Sequence, residues 1–219
     1  MSDAWGWARA ARERAVAPLP GGLRIETLDD DPAYWAAWAA AFGRDGYPPE
    51  MYFARGAEYE RLAQRLAEAR GGDPLVDRWL VRDGEQVVAV YRGEQLDGHT
   101  YSTSHAAVHL GYRRRGIYRA LIERVLEMTR ELGFASVVSN HAPSNNPAII
   151  AKLSLGFRID RLEIEALHGP CLWLRYYHDP DELAAYEFRN GLATLTPELL
   201  TRRYGAWDAL ERQLAADGD

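Results

Sequence analysis

The sequence predicts an α+β domain in which one mixed sheet of six or seven strands is flanked by helices. Two observations predict this class. The turn Asp83-Gly84 separates strand-like runs over 78–82 and 86–92, which is typical of an antiparallel hairpin. Further along, a strand-like run that ends at Leu110, an amphipathic helix and an apolar run over 135–140 follow one another. That order predicts a right-handed crossover between parallel strands, and hence a mixed sheet.

The N-terminal third alternates helical and extended patterns. We expect a short helix over 3–16, a Pro/Gly linker over 18–22 and a strand over 23–28. Two further helices are predicted over 32–41 and 57–70. The loop between them is rich in aromatic residues and proline: Tyr47, Pro48, Pro49, Tyr52 and Phe53.

The central part carries the crossover. A strand over 99–110 is followed by a helix over 116–132, whose apolar residues recur at three- and four-residue steps. After the strand at 135–140, Pro147 suits the first turn of a second helix, which we expect to end at Gly156.

The C-terminal part begins with strands over 157–166 and 171–177, which we expect to pair as a hairpin. Two helices follow, and the last carries an apolar stripe over 200–214 that packs on its own domain or on a second subunit. The predicted parts are an N-terminal helical extension and linker (1–22), a main domain (23–178) and C-terminal helices (179–219).

Composition excludes several classes of protein. A chain of 219 residues can bury one sizeable core, and its net charge of −6 argues against binding to nucleic acid. The single cysteine, Cys171, excludes an internal disulfide and a Cys-rich metal site. Histidines are the alternative metal ligands, but they lack a matching carboxylate or cysteine pattern, so we expect no metal. The N-terminal residues resemble neither a signal peptide nor a membrane span. The expectation is a cytoplasmic protein without a membrane partner.

The run from Val108 to Tyr118 is the strongest functional signal. Its pattern predicts a strand end, a basic turn with Gly116 and the first turn of a helix. Helix-end N–H groups stabilise an anion at such a point, and three consecutive arginines add positive charge. The run therefore predicts a diphosphate or polyphosphate site, with a solvated basic turn as the alternative.

Common motifs of other enzymes are absent from the sequence. It contains no G-x-x-x-x-G-K-[ST] loop, G-x-G-x-x-G fingerprint, H-E-x-x-H helix or G-x-S-x-G elbow. A P-loop kinase, a Rossmann dehydrogenase, a zincin and an α/β-hydrolase therefore lose support.

Two segments together resemble the signatures of the GNAT superfamily of N-acetyltransferases, which use acetyl-coenzyme A. The first is Arg113-Arg114-Arg115-Gly116-Ile117-Tyr118 after Val108-His109-Leu110, similar to [Q/R]-x-x-G-x-[G/A] after V-x-P. The second is Asn145-x-x-Ala148-x-x-x-Lys152-x-x-x-Gly156-Phe157, similar to N-x-x-A-x-x-x-Y-x-x-x-G-F. The resemblance covers about residues 78–177 and implies a GNAT-like fold with splayed parallel strands.

The resemblance also implies which residues bind the coenzyme. Backbone N–H groups of the basic turn would hold the pyrophosphate, and Val108 and Leu110 would pair with the pantetheine arm. Asn145 would hydrogen-bond that arm, with helix capping as its alternative role, and Ala148 would permit close approach. The implied residues are Val108, Leu110, Arg113, Arg114, Arg115, Gly116, Ile117, Tyr118, Asn145 and Ala148.

The sequence departs from the family pattern at its catalytic end. Tyr118 stands where Gly or Ala is usual, and Leu110 replaces a proline. Lys152 replaces the tyrosine that protonates the departing thiolate in many members. A lysine can act as this acid if its pKa lies near that of the thiol; otherwise it pairs with a phosphate or with Glu165. Tyr101, Tyr176 and Tyr177 are the other candidate acids.

The general base also differs. Family members commonly have an acid on the strand before the basic turn, whereas residues 99–109 contain none. Period-two counting places His99, His105 and His109 on one face. Because neutral imidazole accepts protons near pH 7, we expect His105 and His141 to be the candidate bases, with structural histidines as the alternative.

The acceptor pocket should form from the early helices and their loop. Aromatic walls and an acid such as Glu50 suit a cationic amine, although two tryptophans three residues apart also fit a helix core. The aromatic candidates are Trp35, Trp38, Tyr47, Tyr52, Phe53 and Tyr91.

The resemblance implies transfer of an acetyl or short acyl group from acetyl-coenzyme A to an amine of a small molecule or peptide. The amine would attack the thioester directly, in a ternary complex of enzyme, coenzyme and acceptor. The enzyme would be a monomer or a homodimer. Two alternatives stay open. One is an acyltransferase that uses a longer acyl group or a hydroxyl acceptor, and the other is a coenzyme A-binding sensor or assembly module without catalysis.

Overall fold

The computed structural model describes residues 6–43, 74–166 and 168–194. The helices in this part of the chain are α1 (Gly6–Ala15), α2 (Asp31–Phe42), α3 (Ile117–Glu131), α4 (Asn146–Ser154) and α5 (Pro180–Arg189). The strands are β1 (Arg24–Thr27), β2 (Val76–Asp83), β3 (Gln86–Gln95), β4 (Thr100–Val108), β5 (Ser136–His141), β6 (Arg158–Glu165) and β7 (Gly169–Tyr177). The predicted helix over 57–70, the aromatic loop before it and the stripe over 200–214 lie outside the described residues.

These strands form one mixed sheet in the order β1-β2-β3-β4-β5-β7-β6. Strands β1 to β4 pair antiparallel as a meander, and β6 pairs antiparallel with β7. Strands β4 and β5 are parallel and are connected through α3. The predicted α+β architecture with a mixed sheet is therefore confirmed.

Alternation along β2 gives the sheet two buried faces. Trp79 and Val81 belong to the larger core cluster, together with Leu121 of α3. Leu80 belongs to a smaller cluster, together with Tyr34 of α2. Helix α3 therefore packs against one face of the sheet, and α2 packs against the other.

The parallel pairing of β4 and β5 is short. It extends from Thr100 with Ser136 to Ser102 with Val138. Beyond these pairs β4 stays bonded to β3 as far as Val108. The two parallel strands therefore separate, and within the described part of the chain the carboxyl-terminal half of β4 pairs with a strand on one edge only.

A β-bulge in β4 changes which histidines share a face. The pairs Glu94–Ser102 and Arg92–His105 show that β4 advances by three residues while β3 advances by two. The extra residue inverts the alternation of side chains. The prediction that His99 shares a face with His105 is therefore wrong, because period-two counting assumes an unbroken strand.

Asp31 fastens α2 to the sheet. Its carboxylate accepts hydrogen bonds from Arg78 Nε at 2.6 Å and from Arg92 Nε at 2.8 Å, which joins the first turn of α2 to β2 and β3. Asp30 caps the same helix by accepting from Ala33 N–H at 2.7 Å. Hydrogen bonding to Arg92, helped by Arg78, lowers the pKa of Asp31 to about 2.

The chain divides into two compact units, Met1–Tyr176 and Tyr177–Asp219. In the first unit, Arg124 of α3 donates to the C=O of Arg14 at the end of α1 at 2.9 Å. In the second, Asp179 caps α5. The domain boundaries drawn from the sequence stay a prediction.

The ion pairs of Asp31 generate a testable stability difference. Because the pKa of Asp31 is lower in the folded chain than its ordinary 3.8, its contribution is present above about pH 4 and is lost as the pH falls through 2. The carboxylate is 40% exposed, so we expect Asp31→Asn to lower the free energy of unfolding by about 1 kcal/mol at pH 7. Denaturant titrations at pH 7 and pH 3 measure the difference in unfolding free energy between wild type and variant, which should be smaller at pH 3.

Asp29→Asn is the matched control, because it removes a charge from the same turn. Asp29 contacts Arg78 through its backbone carbonyl, which the substitution keeps. Equal losses in the two variants would contradict the role given to the Asp31 carboxylate.

Candidate active site

A cavity of about 430 Å³ occupies the gap between the separated ends of β4 and β5. One wall is β4 with the turn that follows it. The other wall is formed by β5 and α4, and α2 contributes to the rim. The lining residues used below are Trp38, Phe42, Thr103, Ser104, His105, Ala106, Leu110, Arg113, Tyr118, Ser139, His141, Asn145, Ala148 and Lys152.

The backbone of β4 turns hydrogen-bonding groups toward this gap. His109 N–H donates to the C=O of Val88 on β3 at 2.8 Å. Because successive residues of a strand point their backbone groups in opposite directions, those of Ala106 and Val108 face away from β3. The Val108 C=O accepts from Arg113 Nε at 3.1 Å. An extended molecule with amide groups can pair with this edge as an added strand.

The turn before α3 gathers positive charge and helix-end N–H groups at the mouth of the gap. Arg114 and Gly116 take left-handed backbone conformations, with φ of 61° and 79°. Ala120 N–H bonds to the C=O of Gly116 at 2.9 Å, and the N–H groups before it in the first turn have no partner within the helix. The first turn contains no acidic residue. This arrangement stabilises a bound anion.

Tyr112 holds the basic turn against the hairpin that joins β2 to β3. Its OH donates to Asp83 Oδ2 at 2.9 Å. The Arg115 guanidinium lies 4.7 Å from the centre of the Tyr112 ring, which restricts that side chain through a cation–π contact. Tyr112 thus connects the basic turn to the hairpin between β2 and β3.

Asn145, Ala148 and Tyr118, for which the resemblance implies coenzyme binding, all line the cavity. Asn145 occupies the N-cap position of α4, but its side chain makes no capping hydrogen bond. The structure therefore does not support capping as the role of this side chain. Tyr118 contributes from the first turn of α3, where burial raises its pKa.

Lys152 lies at the closed end of the gap, where β4 and β5 part. Its Nζ donates to Thr103 Oγ1, which itself donates to the C=O of Val138 at 3.3 Å, across the two strands. The side chain is 1% exposed, and Nζ lies 5.0 Å from the centre of the Phe157 ring. Desolvation lowers the pKa of Lys152 well below its ordinary value. Glu165, the alternative partner, bonds to His168 instead, with Nδ1 and Oε2 2.9 Å apart.

His105 is enclosed by aromatic residues of α2. Its Nδ1 lies 2.6 Å from the OH of Tyr34. The ring centres of Trp35 and Trp38 lie 5.2 Å and 5.8 Å from that of the imidazole. Burial, with a smaller effect of the Arg92 charge, lowers the pKa of His105 to about 4. His105 is therefore neutral at pH 7 and is a weak base.

His141 shares the closed end of the gap with Lys152. Its Nε2 lies 2.9 Å from Ser139 Oγ, and that hydroxyl also donates to the C=O of Thr103 at 3.5 Å. Burial, and secondarily the Lys152 charge, lowers the pKa of His141 to about 3. Both candidate bases therefore lie within hydrogen-bonding distance of a hydroxyl group.

Some predicted residues lie elsewhere. Tyr101 is fully buried, and its OH donates to Asp77 Oδ2 at 2.8 Å, beside an ion pair between Asp77 and Arg12. Tyr91, expected in the acceptor wall, is also fully buried in the core. Neither lines the cavity, so the expectation that Tyr101 and Tyr91 lie at the site is corrected. The implied residues that border the mouth without lining the cavity are Val108, Arg114, Arg115, Gly116 and Ile117.

Two features of the site were missed by sequence reasoning. Glu94 on β3 accepts from Ser104 Oγ at 2.9 Å, which brings a carboxylate next to a lining residue. The bulge sets this register, and no sequence pattern marks it. The second feature is that the chain places its only lysine, Lys152, in the site. The sequence carried a signal for it, because the other 25 of the 26 Lys and Arg residues are arginine.

Within the described residues, no group of three or more His, Cys, Asp and Glu side chains could hold a metal ion. The site histidines contact the hydroxyl groups of Tyr34 and Ser139. None of the described helices is both long enough and apolar enough to cross a membrane.

The fold and the gap define a class of protein in which a mixed sheet splits between two parallel strands to form a cavity. The profile of the acetyltransferase (GNAT) family matches residues 31–157, which is more than half of the chain. The chain therefore belongs to the GNAT acetyltransferase family, as the two signature segments predicted.

Solved structures share the fold at low sequence identity. The ribosomal-protein-S18-alanine N-acetyltransferase from Escherichia coli is 18% identical, with a TM-score of 0.51 over 71% of this chain and 93% of that one. A probable acetyltransferase from Staphylococcus epidermidis is 18% identical, with a TM-score of 0.52 over 72% and 99%. The putative acetyltransferase yncA from Salmonella typhimurium, solved with its cofactor acetyl-CoA, is 15% identical, with a TM-score of 0.50 over 72% and 95%. No curated protein matches the sequence.

The burial of neutral His105 should make stability depend on pH. Between about pH 6.5 and pH 4 the unfolded chain binds a proton at this residue that the folded chain does not. The contribution is therefore complete above pH 6.5 and is lost as the pH falls toward 4. Glutamine does not titrate. Between pH 6.5 and pH 4 the unfolding free energy of His105→Gln should therefore fall less steeply than that of the wild type, by about 1 kcal/mol per pH unit. Denaturant titrations at several pH values measure this slope.

His99→Gln is the matched control, because His99 is exposed in the turn before β4. This variant should keep the pH dependence of the wild type. An unchanged slope in His105→Gln would show that this histidine is not buried in its neutral form.

Proposed function

We propose that this protein is an N-acetyltransferase that transfers an acetyl or short acyl group from acetyl-coenzyme A to an amine of a small molecule or peptide. One observation carries the proposal: β4 and β5 part after Ser102 and Val138, in front of the N-terminus of α3. The gap offers backbone partners along one edge, a helix N-terminus at its mouth and a buried amine at its end. Membership of the GNAT family supports the same co-substrate.

The coenzyme would bind along the whole gap. Its pyrophosphate would accept hydrogen bonds from the first-turn N–H groups of α3, with the arginines of 113–115 around it. Its pantetheine arm would pair with the backbone of Ala106 and Val108 and would displace Arg113 Nε from the Val108 C=O. The Asn145 amide would bond to the arm from the opposite wall.

The thioester would then lie beside Lys152. The acceptor nitrogen attacks the carbonyl carbon, the C–S bond breaks, and the proton that the nitrogen loses passes to the thiolate. Lys152 is the proposed donor of that proton to the thiolate, after taking it from the nitrogen, because desolvation lowers the pKa of Lys152 well below the ordinary value of a lysine. Thr103 Oγ1 holds the Nζ in place.

The histidines point to the kind of acceptor. With pKa values of about 4 and 3, His105 and His141 are too weakly basic to deprotonate an alkylammonium with a pKa of about 10. They can accept a hydrogen bond from an amine that is already neutral. We infer that weakly basic amines, such as an α-amino group with a pKa of about 8, are better acceptors. Trp38 and Phe42 give the acceptor side of the cavity an apolar wall.

A coenzyme A-binding module without catalysis is the second candidate. The weakly basic histidines favour it, as does the absence of a carboxylate among the described residues that line the cavity. Thiol release with an amine acceptor separates the two functions, since the module would bind the coenzyme and release none.

The pyrophosphate assignment is tested at Gly116. The residue has a φ of 79°, and a Cβ there would meet no atom within 4 Å. Gly116→Asp and Gly116→Asn therefore carry similar backbone strain, but only Asp places a negative charge at the helix N-terminus. Isothermal titration with acetyl-coenzyme A should show about a tenfold or greater loss of affinity for Asp relative to Asn, since one repulsive charge at a phosphate contact is worth over 1 kcal/mol.

Circular dichroism should show the same fold in both Gly116 variants. Equal affinities would place the pyrophosphate elsewhere, and the absence of acetyl-coenzyme A binding by the wild-type chain would sink the proposed function.

The acceptor inference is tested by the pH profile of thiol release. If the amine must enter neutral, kcat/KM rises with pH and levels off at the pKa of the acceptor itself. Two amines that differ in pKa should then give inflections that differ by the same amount. An inflection that stays at one pH for every acceptor would instead reveal a general base of the enzyme.

A further inference from the structure

The distribution of cations in this chain is uneven. Of its 26 Lys and Arg residues, 25 are arginine, and the single lysine is Lys152. Arginine stays protonated in proteins, whereas a lysine amine becomes nucleophilic when it loses its proton. The one side-chain amine of the chain is therefore also the one placed at the closed end of the cavity.

The surroundings of Lys152 favour its neutral form. Among the described residues, no carboxylate forms an ion pair with its Nζ. The Nζ donates a hydrogen bond to the Thr103 hydroxyl and lies over the aromatic ring of Phe157. A buried ammonium without a counter-ion is strongly disfavoured. Desolvation accordingly lowers the pKa, which raises the fraction of free amine near neutral pH.

The geometry also brings an acyl group to this amine, and this step rests on the proposed function. From Val108 to Thr103, five residues of extended strand span about 17 Å. A pantetheine arm that starts at the basic turn and follows this edge ends at Thr103. Because Thr103 Oγ1 bonds to Lys152 Nζ, the thioester carbonyl would arrive next to that nitrogen.

We propose that Lys152 is a self-acylation site, at which the bound acyl-coenzyme A thioester acylates the lysine when no acceptor amine is present. The lone pair of the neutral Nζ attacks the thioester carbonyl carbon, and the C–S bond breaks. The thiolate of coenzyme A leaves and takes the proton that Nζ loses. The products are a free thiol and an Nε-acyl-lysine amide.

The product is an amide, so the acyl group does not pass on to an acceptor. Acylation removes the basic nitrogen and adds an acyl group to the end of the gap that the thioester must occupy. Self-acylation is therefore a dead end that blocks turnover, and an acceptor that reaches the thioester first protects the enzyme.

The experiment is incubation of the full-length chain with acetyl-coenzyme A and no acceptor, followed by intact mass and peptide mapping. We expect one acetyl group per chain on Lys152, one free thiol released per acetyl group, and loss of turnover in proportion to the modified fraction. Added acceptor amine should slow the modification. Because the chain has no other lysine, the α-amino group is the one competing amine, and the peptide map separates the two.

Three controls make the result specific. Gly116→Asp should lose the modification at concentrations of acetyl-coenzyme A that modify Gly116→Asn. The urea-unfolded chain should show no faster modification of Lys152 than of its α-amino group. Lys152→Met, of similar length, should retain acetyl-coenzyme A binding and gain no acetyl group on the peptide that contains residue 152.

Titration calorimetry with acetyl-coenzyme A distinguishes a failure of this inference from a failure of the proposed function. Binding of acetyl-coenzyme A by the wild type with Lys152 unmodified would overturn this inference and leave the proposed function standing. Absence of binding would overturn both. Full acetylation of Lys152 with unchanged turnover would overturn the dead-end assignment.

Discussion

The hydrogen bond from Thr103 Oγ1 to the C=O of Val138 marks the point at which a sheet becomes a binding site. Up to Ser102 the parallel strands satisfy each other's backbone groups. Beyond it, β4 pairs with β3 on one edge, and the backbone groups of Ala106 and Val108 point away from β3, with Ala106 lining the cavity. Buried backbone N–H and C=O groups cost free energy unless they are hydrogen-bonded. The separation of the strands therefore favours an extended ligand whose amide groups can bond to them. The Arg113 guanidinium bonds to one of these groups, the Val108 C=O.

The two ends of the gap have opposite electrostatic character. At the mouth, exposed arginines and the N-terminus of α3 stabilise negative charge. At the closed end, desolvation lowers the pKa values of Lys152, His105 and His141, so that charge is disfavoured there. An anionic carrier with a neutral reactive tip fits this gradient. The same desolvation that lets Lys152 release or accept a proton also makes it a nucleophile, which links the proposed reaction to its proposed side reaction.

The fold could be predicted from the sequence because local signals and their order sufficed. The period-two runs, the turn at Asp83-Gly84 and the amphipathic helix after Gly116 each map onto an observed element. The basic turn before α3 could be predicted for a similar reason, since it is built from consecutive residues. The catalytic end could not, because it depends on register. The bulge in β4 inverts the alternation between His99 and His105, and a sequence pattern does not show that Tyr101 bonds to Asp77.

Lys152 shows the remaining limit. Its position in the second signature segment was enough to make it a candidate site residue, and it lines the cavity, but that position does not give its protonation state. That property depends on Thr103, Phe157 and the strands that bury it, which come from three separate parts of the chain. The composition gives one indication, because all the remaining Lys and Arg residues of the chain are arginine.

A crystal structure with coenzyme A bound tests the central claim most directly. The account predicts the pyrophosphate on the first-turn N–H groups of α3, pantetheine amides bonded to Ala106 and Val108, and the sulfur next to Lys152 Nζ. It also predicts that Arg113 Nε leaves the Val108 C=O. A coenzyme bound outside the gap, or one that leaves the Arg113–Val108 bond intact, would contradict it.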